Sequence, residues 1–179
     1  MSEEKSENAK HDEVYRQFFL VPRVVQALIE HFVDEELAAA LDFERMEQLE
    51  TTHLTPMLEK RESDLIWKIP RPGGEALHVL LMLEFQSSQD QAMALRVSLY
   101  AQLMLYRLTR QDSSLGRGGL PPILPVVIHS GSERWTAPRD VFEMIAFEGS
   151  GLPRELQPRM RYHLISLREL EHRALLRGA

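Results

Sequence analysis

The 179-residue chain contains no cysteine, which excludes disulfides, thiolate-bound zinc and iron–sulfur centres from the outset. Uninterrupted apolar runs are short. Val79–Leu83 falls far below the roughly 20 residues that a membrane-spanning helix needs. Residues 1–14 are polar and acid-rich and lack the basic, apolar and small-residue zones of a signal peptide. The expectation from these absences is a cytoplasmic protein with no membrane association, in a compartment that need not be oxidising. Lysine is scarce too: from residue 60 onward the only lysines are Lys60 and Lys68, and the remaining bases are arginines.

What is present suits one domain with its own core. Apolar residues make up 44% of the chain and charged residues 27%, an ordinary balance for a globular protein. The net charge of −6 argues by itself against a nucleic-acid partner, but its distribution is uneven. Residues 1–59 hold 14 acids and 5 bases, and residues 60–179 hold 13 acids and 16 bases, so −9 and +3 recover the total. Arginine favours bidentate phosphate contact, while a solvated surface with scattered charge accounts for the same numbers.

Periodicity predicts helices first. Val14, Phe18, Phe19, Val25, Leu28, Ile29 and Phe32 follow helical spacing between residues 13 and 32, with Pro22 opening a second segment. Asp34 is a candidate N-cap for a helix over 35–41. Strands are then expected near 49–54, over 61–69 and over 77–86, the last two joined by a turn at Arg71-Pro72-Gly73-Gly74. The stretch 77–86 (LHVLLMLEFQ) is apolar almost to its end, as a central strand buried on both faces would be. Residues 90–110 contain neither Gly nor Pro and predict a long helix. A buried strand over 123–129, a short helix over 141–147, a last strand over 161–167 and a terminal helix over 167–176 complete the pattern. The expected organisation is a disordered polar tail over 1–10 and one domain over 11–179. Its fold class is α/β (mixed α+β), a central mixed sheet flanked by helices.

Three polar residues interrupt this core. Asp64 lies in the first hairpin strand, and Glu84 and Gln86 end the second. Side chains alternate along a strand, so Glu84 and Gln86 share a face, and Asp64 and Glu84 are nearly symmetric about the turn. Two carboxylates brought together in an apolar setting repel and are costly to desolvate. A divalent cation between them removes both penalties, and hard Mg²⁺ suits one or two carboxylates with phosphate oxygens and water. The same residues also have plainer explanations. Asp64 can pair with Lys60 or Arg61, Glu84 can bond helix N-terminal amides, and Gln86 can cap the helix that follows. Asp12 is accounted for as an N-cap, His129 and Trp135 as structural residues, and His31, His53 and His78 show no metal-ligand spacing.

An Asp, a gap of about twenty residues and a Glu-x-Lys-like ending resembles the PD-(D/E)XK nuclease superfamily, with Gln86 where Lys is usual. More narrowly, several segments resemble the recombination-promoting nuclease (Rpn), YhgA-like transposase family. They are His11-Asp12, Tyr15-Arg16, Phe18-Phe19, Glu62-Ser63-Asp64-Leu65-Ile66-Trp67, Glu84-Phe85-Gln86-Ser87-Ser88, Met93, Leu95-Arg96, Tyr100, Pro125–Gly131 and Trp135. The likeness runs from about residue 11 to 140. Phe85 departs from the family's usual Glu-His-Gln-Ser.

The resemblance implies a restriction-endonuclease-like core and an endonuclease requiring Mg²⁺ (or Mn²⁺). The substrate would be double-stranded DNA, and the biological setting recombination or mobile elements. Asp64 and Glu84 become metal ligands, and Gln86 a group positioning water or phosphate. Arg96 and Tyr100, one turn apart on a helix, become phosphate or DNA contacts or their support, with core packing and an ion pair to Glu84 or Asp64 as the plainer explanation. A homodimer is compatible with the superfamily. The rival class is a nuclease-fold module with weak or absent chemistry that binds DNA or a protein. A DDE-type transposase fits poorly, since it needs three separated carboxylates on a different sheet.

Overall fold

The computed structural model describes residue 14 and residues 17–49, 65–72, 79–86, 88–111 and 119–167, with 79–86 described by backbone and strand register. The expected tail over 1–10, most of the strand expected over 49–54, Asp64, Gly73-Gly74 of the turn and nearly all of the terminal helix lie outside these residues.

Proline decides the first boundary. Pro22 sits where its missing N–H costs nothing and opens α1 (Pro22–Phe32). Val25, Leu28 and Ile29, spaced i, i+3, i+4, are its buried stripe. Asp34 then caps α2 (Glu35–Ala39): the backbone N–H of Leu37 donates to Asp34 Oδ1 at 2.6 Å, satisfying one of the otherwise orphaned helix donors. A 3₁₀ turn at Phe43–Arg45 follows, capped by Asp42.

Five strands form one sheet in chain order, β1 (Glu47–Leu49), β2 (Leu65–Ile69), β3 (Val79–Gln86), β4 (Ile123–His129) and β5 (His163–Ser166). β1–β2 and β2–β3 are antiparallel, whereas β3–β4 and β4–β5 are parallel. A parallel neighbour cannot be reached by a tight turn, and the long helix α3 (Met93–Gln111) lies in the connection from β3 to β4. The sheet is therefore mixed, as expected, and β3 is its middle strand. Its short edge strand β1 carries an ion pair, Lys68 Nζ to Glu47 Oε2 at 3.6 Å.

The period of two sorts the core into opposite faces. Leu65, Trp67, Ile69, Val126, Ile128 and Ile165 pack with Val25, Leu28 and Ile29 of α1 and with Leu41 and Phe43. The other face belongs to α3. There Ile66 packs with Ala101 and Met104, and Val127 packs with Met93, Ala94 and Val97. Glu30, Asp34, Glu35, Glu36, Glu44 and Glu47 are all exposed, on or beside the elements that cover the α1 face or on the edge strand.

One expectation needs correction. Residues 141–147 do not form an α-helix; a single 3₁₀ turn spans Val141–Met144, capped by Asp140 through the Phe142 N–H at 2.9 Å. The chain then turns back so that the Phe142 and Phe147 rings meet at 5.1 Å. Residues five apart on an α-helix lie well round its circumference, so that ring contact and a continued helix are incompatible. No helix among the described residues is long and apolar enough to cross a membrane.

Candidate functional site

Glu84 and Gln86 occupy the carboxyl end of β3, the strand that is antiparallel to β2 on one side and parallel to β4 on the other. Their register partners on β4 are Val127 and His129. Paired residues on adjacent strands share a face, so positions 84 and 86 fall on the α3 side of the sheet with Val127, which is fully buried. On the β2 side the last described pair is Leu65↔Leu83; Asp64, one residue earlier, is outside the described residues. In open sheets containing parallel strands, ligands commonly bind beyond the strand carboxyl ends, the end of β3 at which positions 84 and 86 lie.

The row that begins at Gln86 continues through His129 to Ser166 across the parallel pairs. His129 and Ser166 are both buried, unusual places for polar groups. The His129 ring meets the Trp135 indole edge-on, with centroids 4.9 Å apart. Trp135 Nε1 in turn donates to the Tyr162 hydroxyl at 3.0 Å, and that hydroxyl donates to the Pro138 carbonyl at 2.9 Å. This chain of contacts fixes the loop after β4 against the start of β5. Trp135 and His129 thus meet edge-on within this network.

Burial of the Tyr162 phenol raises its pKa above the ordinary value of about 10, opposed in part by the Trp135 hydrogen bond. The folded state therefore holds its proton more tightly than the unfolded state does. Its contribution is complete below about pH 10 and is lost as pH rises through the elevated folded value. Tyr162→Phe leaves the buried Trp135 N–H without its acceptor and should cost about 1–3 kcal/mol at neutral pH. The difference between parent and variant should narrow above pH 10. Urea unfolding at pH 7 and across pH 9–11 measures both, and an unchanged gap throughout would show that the hydroxyl is not what couples this loop to alkaline pH.

The connection from β3 to α3 is fastened separately. Gln89 Nε2 donates to the Arg134 carbonyl at 2.8 Å, and Gln89 Oε1 accepts from both the backbone N–H and the hydroxyl of Thr136, each at 2.8 Å. One amide side chain thereby ties the loop after β3 to the loop after β4. Asp90 does two further things at the head of α3. Its Oδ1 accepts from the Ala92 N–H at 2.9 Å, and its Oδ2 accepts from Arg96 Nη1 at 2.6 Å.

Arg96 is thus held on the first turns of α3 by Asp90, a carboxylate six residues earlier in the chain. Tyr100, one turn later, is partly buried and packs against the Ile66–Ala101–Met104 cluster. Both lie on the helix that covers the face of positions 84 and 86. Among the described residues, no group of three or more His, Asp or Glu side chains is disposed to hold a metal.

Sequence reasoning missed Gln89 and Tyr162. Gln89 sits in a polar run, Ser87-Ser88-Gln89-Asp90, where nothing distinguishes one amide from its neighbours. Its partners lie 45 and 47 residues away. Tyr162 meets Trp135 across 27 residues; local periodicity carries no trace of such a contact.

Comparison with known proteins extends these observations. A family model described as "Putative transposase, YhgA-like" matches residues 9–178. Among curated proteins, the recombination-promoting nuclease RpnD of Escherichia coli O157:H7 is 23% identical over 122 residues, which are 68% of this chain and 45% of the relative. The inactive recombination-promoting nuclease-like protein RpnE of Escherichia coli strain K12 is 24% identical over 128 residues, covering 72% and 41%. RpnC of the same strain is 24% identical over 122 residues, covering 68% and 39%. The chain thus spans less than half the length of these relatives. No solved structure matches.

Proposed function

Since the chain belongs to the YhgA-like transposase family, whose relatives include named recombination-promoting nucleases, we propose that it is a divalent-cation-dependent endonuclease acting on double-stranded DNA. The observation that carries this reading is the β2–β3 register. Leu65 pairs with Leu83, and the same ladder carried one residue further would set Asp64 opposite Glu84. Glu84 and Gln86, two residues apart on β3, take the same face. An antiparallel hairpin, a helix and a parallel strand in that order are compatible with a restriction-endonuclease-like core.

The donor set suits Mg²⁺ or Mn²⁺, because both would-be ligands are hard carboxylate oxygens. Two carboxylates brought together also repel, a cost that a shared cation removes. Asp64 and Glu84 would hold the ion, which when bound would polarise the scissile phosphate and acidify a water.

Gln86 does a different job. Its amide can donate to a phosphate oxygen or orient a water through its carbonyl, but it has no proton affinity near neutral pH. The proton of the attacking water must therefore leave to solvent or to a non-bridging phosphate oxygen of the substrate. Arg96 and Tyr100 support the site from α3, with Arg96 Nη1 engaged by Asp90. Cleavage of both strands would call for a homodimer.

A second reading has its own support. One relative is named as inactive, and the amide of Gln86 supplies no base, which suits a module that binds DNA or a protein without efficient chemistry. Supercoiled plasmid incubated with Mg²⁺, Mn²⁺, Ca²⁺ or EDTA separates the two. Nicked or linear products with Mg²⁺ or Mn²⁺, absent with EDTA, support the nuclease. Binding without products under every ion condition gives preference to the module.

A further inference from the structure

Between the loop after β4 and strand β5 the chain makes an excursion over residues 139–162 that the proposed chemistry does not use. It is anchored at both ends. Val141 N–H donates to the Met160 carbonyl at 3.2 Å, Tyr162 N–H donates to the Arg139 carbonyl at 3.1 Å, and Asp140 bridges Arg161. Val141 also packs into the cluster formed by Met93, Ala94 and Val97 at the start of α3. The excursion therefore stands on the same side of the sheet as positions 84 and 86, opposite the acidic α1 face.

At its centre two guanidiniums lie over two phenyl rings. The Arg159 guanidinium carbon is 4.2 Å from the Phe142 ring centre, and that of Arg154 is 5.1 Å from Phe147 and 5.9 Å from Phe142. Cation–π contact with the rings restrains both guanidiniums. Neither has a carboxylate within ion-pair distance among the described residues.

The excursion holds four acids and four bases. Asp140 caps Phe142, Glu143 accepts from the Arg139 N–H at 2.9 Å while meeting Arg161 at 3.7 Å, and Glu148 and Glu155 are exposed and form no ion pair with either guanidinium among the described residues. Two guanidiniums held over rings, with no carboxylate partner among the described residues, suit the oxygens of a phosphodiester backbone.

We infer that Arg154 and Arg159, held on Phe142 and Phe147, form a DNA-backbone contact outside the Asp64–Glu84–Gln86 cutting site. It rests on the DNA substrate of the reading above, and adds an affinity element that takes no part in the chemistry. Backbone contacts of this kind are independent of sequence and release counterions. Leu152 and Leu156 are exposed on the same excursion and would suit a protein surface, but they do not account for the two unpaired guanidiniums.

The test is the salt dependence of binding to a labelled 30-base-pair duplex, measured for the full chain in EDTA. The double variant Arg154→Met and Arg159→Met keeps aliphatic cover over the rings and removes the charge. Two lost phosphate contacts should make the slope of log K against log salt less negative by about 1.8. Affinity near 0.1 M salt should fall about tenfold or more. The pair Arg154→Lys and Arg159→Lys should recover the slope, which a merely structural role would not require.

An unchanged slope in the Met variant overturns the inference and leaves the cluster as surface packing or a protein contact. If the Met variant fails to fold, the single variants Arg154→Gln and Arg159→Gln replace it, each making the slope less negative by about 0.9. A parent that binds duplex with the expected slope difference but never cuts removes the nuclease reading and keeps this contact. A parent that cuts, with no slope difference, does the reverse, and a parent that does not bind duplex removes both.

Discussion

Glu84→Ala and Asp64→Ala should each lower Mg²⁺-dependent plasmid cleavage by at least about a hundredfold, the scale on which removal of one charge-stabilising group acts in a hydrolytic site. The expectation follows from the small number of anionic ligands proposed. A cation that draws its protein ligands from two carboxylates loses half of them in either variant. The fold should not suffer. Two carboxylates brought together repel, so removing one relieves a cost to the metal-free protein.

Thermal stability in EDTA should stay equal to the parent's or rise. The stabilisation that Mg²⁺ or Ca²⁺ confers on the parent by binding the folded state should shrink in both variants. Cleavage assays and thermal melts on the same preparations separate the two effects. If both variants cut like the parent, the activity comes from another site and the nuclease reading fails. If both lose activity together with most of their stability in EDTA, the carboxylates are structural, paired as Asp64 with Lys60 or Arg61 would be.

Gln86→Lys should raise the cleavage rate about tenfold or more, toward the lower end of what a positioned acid–base group contributes. Lysine adds a positive charge beside the scissile phosphate and a group able to take part in proton transfer, neither of which an amide supplies. The pH–rate profile is the sharper measurement. The parent should show no limb assignable to residue 86, because Gln does not titrate, whereas the variant should gain one. A variant slower than the parent, with unchanged DNA affinity, would mean that Gln86 does not occupy the water- and phosphate-positioning place.

Much of the fold was legible in local pattern. The apolar run ending in Glu84 identified the middle strand, because a segment buried on both faces shows no alternation. The Gly- and Pro-free stretch identified α3, although it begins at Met93 and not at Asp90. The reason is Asp90 itself, whose carboxylate binds Ala92 N–H and Arg96 and so stands before the helix. The excursion over 139–162 was less legible. Apolar residues at 141, 142, 144, 145 and 147 read as a helix, yet the aromatic contact between Phe142 and Phe147 and the stacked arginines hold the chain in a single 3₁₀ turn and a loop.

For the candidate site, the sequence by itself determined which residue types are available and that Glu84 and Gln86 share a face, since strand alternation is a local property. The near-symmetry of Asp64 and Glu84 about the turn was also countable along the chain. Tertiary structure alone decided the rest. Parallel pairing of β3 with β4 put His129 beside position 86, and Gln89 joined two loops across 45 residues or more. Such partners are selected by sheet order and crossover, which depend on burial summed over the whole core; no window of neighbouring residues contains that sum.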